Sequence, residues 1–104
     1  MDKYLIFSKA VGYARLTADS LVSQGPCFLI SADLIASAVG AATAVIRDGN
    51  DANSEAVVDL TAVTSYSDSR TFDPPIFLKR GLFVDVGSNV AAVLVRYLPS
   101  PGGG

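Results

Sequence analysis

The chain has 104 residues, a length that fits one domain, and a net charge of −2. Half of its residues are apolar and only 17% are charged, against ~25% in an average soluble domain. We therefore expect other subunits to cover part of its surface. Nucleic-acid binding is not expected, because such modules carry a basic face and Lys79-Arg80 is the only adjacent basic pair.

The segments most often mistaken for targeting signals are short in this chain. The apolar run Tyr4–Phe7 has four residues, whereas a signal-peptide core needs ~7–15. Leu34–Ile46, one of the longest uncharged stretches, is too short for a membrane span of ~20 residues. We expect no membrane partner.

The residue inventory argues against an enzyme. There is no histidine and one cysteine, Cys27, which lies in the apolar run Cys27–Ile30. A serine or cysteine nucleophile needs an activating base, and a cysteine in such a run is more often a small buried hydrophobe. We expect neither catalysis nor a cofactor.

The first third of the chain contains three segments typical of strands, separated by polar turns. The segments are 4–7, 13–16 and 27–36, and a turn is predicted at Ser23–Pro26. In the third segment the pattern places Phe28, Ile30 and Leu34 on one side of the strand.

The middle of the chain predicts a hairpin. A loose connection centred on Gly40 leads to a strand at Thr43–Ile46, which ends at Asp48-Gly49. The return strand, Glu55–Leu60, is predicted to point Ala56, Val58 and Leu60 inward. The two strands would be joined by a long polar loop.

This loop is a weak candidate for a calcium site, because calcium favours oxygen ligands on a flexible loop. Its spacing does not match an EF-hand. The alternative is a solvated loop whose residues suit turn conformations. The five oxygen-bearing residues are Asp48, Asn50, Asp51, Asn53 and Glu55.

The last third predicts three short strands between Ile76 and Tyr97, cut by glycine-bearing turns at 79–81 and 87–89. Ser67–Arg70 is predicted as a polar turn. Asp73–Pro75 should prevent regular pairing, because proline cannot donate to a ladder.

These elements together predict an all-β single domain over residues 1–98, a β-sandwich or jelly roll of about seven to nine antiparallel strands without a substantial helix. Residues 1–23 could be an N-terminal arm or an edge strand. Residues 99–104 are rich in proline and glycine and predict a flexible tail.

Three groups of residues are candidates for partner binding. One is the apolar start of the chain, which could pack in its own domain or add to a neighbour. The second is an aromatic–proline cluster that could be a docking ridge or core packing. The third is a basic pair that could meet an acidic patch or simply be solvated. The residues are Tyr4, Leu5 and Phe7; Phe72, Pro74, Pro75 and Phe77; and Lys79 and Arg80.

The order of motifs resembles small β-sandwich structural proteins of tailed-phage virions, of the capsid decoration or cement type. The resemblance begins with the apolar strand Phe28–Ser31, which an Ala/Thr-rich connection joins to Arg47–Asp51 and the return strand Glu55–Leu60. It continues with Phe72–Ile76, followed by Lys79–Val90, and ends with the apolar strand Val93–Leu98. It covers roughly two-thirds of the chain by its strand signals.

The resemblance implies a non-enzymatic protein on the capsid surface of a virion, made in the host cytoplasm. Its partners would be the major capsid protein and its own copies, as a trimer. The alternatives are a tail or neck adaptor and a fibre-associated host- or carbohydrate-binding module. Against sugar binding, the chain has no tryptophan and only Tyr66, among four tyrosines, falls in a predicted loop.

Overall fold

The computed structural model describes residues 12–99, which form eight β-strands and no helix. The predicted all-β class is therefore confirmed. The strands are β1 (Gly12–Leu16), β2 (Ser20–Gln24), β3 (Cys27–Ala36), β4 (Ala42–Asp48), β5 (Glu55–Ala62), β6 (Ser67–Leu78), β7 (Gly81–Val86) and β8 (Val90–Pro99). No helix in this part of the chain is long and apolar enough to cross a membrane.

The strands form two four-stranded antiparallel sheets. The first sheet has the order β1-β8-β3-β6 and the second the order β2-β7-β4-β5. The chain crosses between the sheets at nearly every connection, with β4 and β5 as the one hairpin that stays in a sheet. Two sheets of four strands in this order make a jelly roll.

The core lies between the sheets and is filled by the inward-facing side of each strand. Leu29 and Leu34 of β3 meet Ile46 of β4, Leu60 of β5 and Val93 of β8, and all five are fully buried. Burying each such side chain contributes about 1.5–3 kcal/mol. The largely apolar strand β8 lies in the middle of its sheet, between β1 and β3.

Two segments predicted as turns belong to strands instead. Ser23 and Gln24 end β2, which the sequence did not predict, and the turn is confined to Gly25-Pro26. Ser67–Arg70 begins β6 and pairs with β3. Both segments are on edge strands, where one side of the ladder faces solvent and polar residues are tolerated.

Bulges explain two errors in the predicted faces. The pairing of β3 with both neighbours shifts at Ile30, so Phe28 points outward while Leu29 and Leu34 point inward. A shift between Ile46 and Arg47 similarly leaves Ala56 exposed, whereas Val58 is buried. An extra residue in one strand reverses the alternation beyond it.

The predicted break at the prolines is confirmed. Ile76 pairs with Leu29 and Thr71 pairs with Ser31, so residues 72–75 face a single residue of β3. Neither proline has an N–H to donate, which is why this part of β6 leaves the ladder.

The candidate arm residues Tyr4, Leu5 and Phe7 lie outside the described residues, as does the tail after Pro99. Within the described part, residues 12–24 form edge strands, one of the two alternatives predicted for the N-terminal segment. They form β1, which pairs with β8, and β2, which pairs with β7, so each is an edge strand of the sandwich.

Asp68 links the edges of the two sheets. Its Oδ2 accepts hydrogen bonds from Thr61 N on β5 (3.2 Å) and from Arg70 Nη2 (3.0 Å), and Arg70 Nε donates to its Oδ1. The bond from Arg70 is the main reason that the pKa of Asp68 is lowered, with a smaller contribution from the Thr61 N–H. The ionised form is therefore favoured in the folded protein.

We expect a small acid-induced loss of stability that depends on Asp68. A lowered folded-state pKa contributes stability above the unfolded value of about 3.9, and this is lost as pH falls through the folded pKa. Since Arg70 is exposed and Asp68 is partly exposed, the contribution should be below about 1 kcal/mol. Urea unfolding of Asp68→Asn between pH 2 and 6 should show less pH dependence than the wild type. An unchanged pH dependence would contradict this role.

Candidate functional site

One end of the sandwich is almost free of charge. The connections β1–β2, β3–β4, β5–β6 and β7–β8 all lie there, and we call this surface the apolar end. It comprises residues 17–19, 37–41, 63–66 and 87–89. Asp19 is its only charged residue, and the Asp19 carboxylate accepts a hydrogen bond from Val86 N at 2.7 Å.

The loops of the apolar end are tied to one another. Ser65 N donates to the Ser37 carbonyl (3.1 Å), and Ser37 N donates to the Asn89 carbonyl (2.8 Å). The Asn89 side-chain amide donates in turn to the carbonyl of Ala41 at 3.0 Å. Because these bonds are already made, the surface needs little ordering when it binds, which reduces the entropy cost of association.

The apolar end exposes large hydrophobic side chains on this ordered frame. Val39 is 85% exposed, Tyr66 69% and Val63 64%. Exposed hydrophobic side chains on one surface are typical of protein contact sites, and tyrosine is among the residues that carry binding energy at interfaces. The chemistry available here is burial against a partner, without ion pairing.

Sequence reasoning found only part of this surface. Tyr66 is the one tyrosine that falls in a predicted loop. Val39 and Val63 were missed, because the spacing of valines in connections does not reveal that these connections lie at the same end. Each of the two loops contains apolar residues that are visible in the sequence, but their position at the same end of the sandwich follows only from the strand order.

The opposite end is polar and charged. It carries the turn Lys79-Arg80 and the β4–β5 loop, which are joined because Arg80 N donates to Asp48 Oδ1 at 2.8 Å. Lys79 and Arg80 are both exposed, so either could meet an acidic partner. Their proposed role in binding stays a prediction.

Carboxylates at the β4–β5 loop already accept hydrogen bonds from the protein itself. Asp48 bonds Arg80 N, whereas Asp51 Oδ1 accepts from Asn53 N (2.9 Å) and Ser54 Oγ (3.2 Å). Among residues 12–99 no three acidic, cysteine or histidine side chains are grouped to hold a metal ion.

A guanidinium also lies at the base of this loop. Arg47 Nη1 donates to the Ser54 carbonyl at 3.0 Å, and its Nε and Nη2 donate to Asp85 Oδ2. Asp85 compensates the charge of this guanidinium, and the hydrogen bond to the Ser54 carbonyl fixes the base of the loop. The geometry matches a loop fixed by its own hydrogen bonds better than a calcium site.

The aromatic–proline cluster does not form one surface. Phe72 packs against the core, while Pro74 and Pro75 are exposed in the segment that leaves the ladder. Phe77 points outward on the first sheet and contacts Phe28, with ring centroids 5.1 Å apart. The cluster is thus divided between core packing and the outer face.

Cys27 is fully buried in the core. Burial raises the pKa of its thiol, an effect that a hydrogen bond with Ser23 partly offsets. A thiol that is buried and protonated at neutral pH packs as a small apolar group.

The fold and this site define the class: an all-β jelly-roll domain with one apolar, hydrogen-bonded end. No family model matches the chain, and no curated protein matches it. One solved structure, from "Bacillus endospore appendages form a novel family of disulfide-linked pili", is similar to it with 16% identity and a TM-score of 0.47, over 86% of each chain. A likeness at this level carries no argument about function.

Proposed function

We propose that this chain is a structural virion protein of a tailed phage that decorates the capsid by docking its apolar end on the major capsid protein. The observation that supports the proposal most is the exposure of Val39, Val63 and Tyr66 on loops that are already hydrogen-bonded to one another. We propose the capsid as the partner because of the motif resemblance.

The physical basis is burial rather than charge. The apolar end offers hydrophobic surface and a single carboxylate that is already hydrogen-bonded, so binding should depend weakly on salt. Each Å² of apolar surface removed from water contributes roughly 25 cal/mol before the costs of association. A protein that binds only the assembled shell stabilises that shell by mass action.

Copies of the chain would also contact one another, as a trimer around each docking position. The low fraction of charged residues is the reason to expect self-association. The trimer itself rests on the resemblance. Such copies would place several apolar ends on the shell together and strengthen binding through avidity.

Val39→Asp is expected to weaken shell binding at least tenfold. It places a charge at the most exposed hydrophobic residue of the apolar end, where docking would bury it without a partner. Co-sedimentation with empty shells of the major capsid protein from the same genome measures the effect. Because Val39 is almost fully exposed, the free protein should keep the thermal stability of the wild type.

Lys79→Gln is the matched control, because it makes the same change of −1 in net charge at the opposite, polar end. It should bind the shell as the wild type does. Equal binding by Val39→Asp and the wild type would contradict docking through the apolar end. Failure of the wild type to bind any shell would contradict the decoration role itself.

A further inference from the structure

The outer face of the first sheet carries a depression of about 290 Å³ that lies away from the apolar end and crosses all four strands. Its lining comes mainly from side chains that point away from the core. These are Tyr13 of β1, Leu94 and Arg96 of β8, Ser31 and Asp33 of β3, and Thr71 of β6. We call this depression the sheet groove.

Strand register arranges the groove in two rows. Tyr13 pairs with Arg96, Arg96 with Ser31, and Ser31 with Thr71, so one continuous row runs across four strands. In the next row Leu94 pairs with Asp33. With strands about 4.8 Å apart, the first row is about 14 Å long, which accommodates one or two sugar rings.

The groove combines an aromatic ring with donors and acceptors of hydrogen bonds. Tyr13 is 61% exposed at one end of the row and offers a ring face on which the C–H groups of a sugar can pack. The Asp33 carboxylate accepts hydrogen bonds and the Arg96 guanidinium donates them. The hydroxyls of Ser31 and Thr71 do both, as sugar hydroxyls also do.

The charged groups of the groove are available to a ligand. The side-chain ion pairs found in residues 12–99 join Arg47 to Asp85 and Arg70 to Asp68, so they use neither Asp33 nor Arg96. Of the charged residues that line the groove, one carboxylate and one guanidinium balance each other, which favours a neutral ligand over an anion or a cation. Arg15, which pairs with Leu94 at the end of the second row, is exposed but does not line the groove.

We propose that the sheet groove binds a neutral saccharide of one or two pyranose rings, stacked on Tyr13 and hydrogen-bonded by Asp33 and Arg96. The groove is at the lower limit of the ~300–1,000 Å³ typical of small-molecule sites. Affinity should therefore be weak, roughly millimolar, because few ligand atoms make contact. Docking through the apolar end would leave this face free to engage surface sugars.

The test is a titration of the full chain, followed by backbone amide NMR. The probes are the methyl glycosides of glucose, galactose, mannose and N-acetylglucosamine, with N-acetylneuraminic acid as an acidic comparator. At least one neutral glycoside should shift the amide signals of Tyr13, Ser31 and Asp33 in a saturable way. No saturable shift up to about 50 mM, far above the expected Kd, or binding of the acidic sugar alone, would overturn the proposal.

Tyr13→Ala and Asp33→Asn should each weaken binding of the best glycoside by about tenfold, through loss of the stacked ring and of a charge-assisted hydrogen bond. Tyr66→Ala is the matched control, because it removes a comparably exposed tyrosine from the apolar end and should leave the affinity unchanged. Equal effects of Tyr13→Ala and Tyr66→Ala would overturn the site. Amide spectra of the free variants show whether each is folded.

This proposal can fail or succeed independently of the decoration role. Tyr13→Ala should bind capsid shells normally, whereas Val39→Asp should bind the glycoside normally. A protein that binds shells but no sugar would overturn the groove alone, and the reverse result would overturn the decoration role alone.

Discussion

Val93→Asp is expected to abolish cooperative folding. Val93 is fully buried between the sheets on the central strand β8, so the change removes about 1.5–3 kcal/mol of apolar burial and places an unpaired carboxylate in the core. The combined cost is comparable to the 5–15 kcal/mol that stabilises a typical domain. Thermal unfolding followed by circular dichroism measures it.

Leu94→Asp is the control for this prediction. Leu94 is adjacent in sequence but lies on the outer face, where it lines the sheet groove and is partly exposed. Its substitution should cost about 1 kcal/mol and leave a cooperative transition. If Val93→Asp melted cooperatively within a few degrees of the wild type, the assignment of the core would be wrong.

Gly81→Ala is expected to destabilise the fold by about 3 kcal/mol or more. Gly81 has φ +156°, in a region that other residues rarely adopt, and a Cβ there would lie 2.8 Å from the carbonyl oxygens of both Gly49 and Ser23. These are backbone atoms, so relief requires the strands to move apart. It would also disturb the hydrogen bond from Gly49 N to the Gly81 carbonyl.

Gly25→Ala measures the cost of an unfavourable backbone conformation without the steric clash that a Cβ would meet at Gly81. Gly25 also has a positive φ, +84°, but a Cβ there would meet nothing within 4 Å. Its cost should be limited to the conformational penalty, about 1 kcal/mol. Urea unfolding of both variants gives the comparison. Equal losses of stability would show that close approach at Gly81 has little effect.

The strands that could be predicted are those where local pattern and packing agree. The alternation of Leu82 and Val84 with Phe83 fixes the faces of β7, and the turns at 79–81 and 87–89 set its limits. The sequence of β8 is apolar with few polar breaks, which is the pattern of a strand in the middle of a sheet. In these strands each residue's environment follows from its nearest neighbours in sequence.

Bulges and edge strands could not be predicted in this way. The extra residue at Ile30 reverses the faces of β3, and nothing in the local pattern marks it. Ile30 is an extra residue relative to β8, and it lies opposite residues 72–75 of β6, which are more than forty positions away in sequence. The polar sequence of β2 resembles a turn, because an edge strand requires only one hydrogen-bonded side.

The candidate surfaces depend on topology more than on motif. Val39 and Val63 lie on loops that are hydrogen-bonded to each other, because two connections that are distant in sequence lie at one end of the sandwich. The row from Tyr13 to Thr71 exists because β1, β8, β3 and β6 are neighbours in one sheet. From sequence alone, Tyr13 falls in a predicted strand and is discounted for sugar binding, because only Tyr66 among the tyrosines falls in a predicted loop.

The central claim, docking on a capsid through the apolar end, is tested most directly by cryo-electron microscopy. Shells of the major capsid protein from the same genome would be imaged with and without the purified chain. The account predicts added density on the outer surface, in groups of three, with the loops at 37–41 and 63–66 facing the shell. No added density, or contact through the Lys79-Arg80 turn at the opposite end, would contradict it.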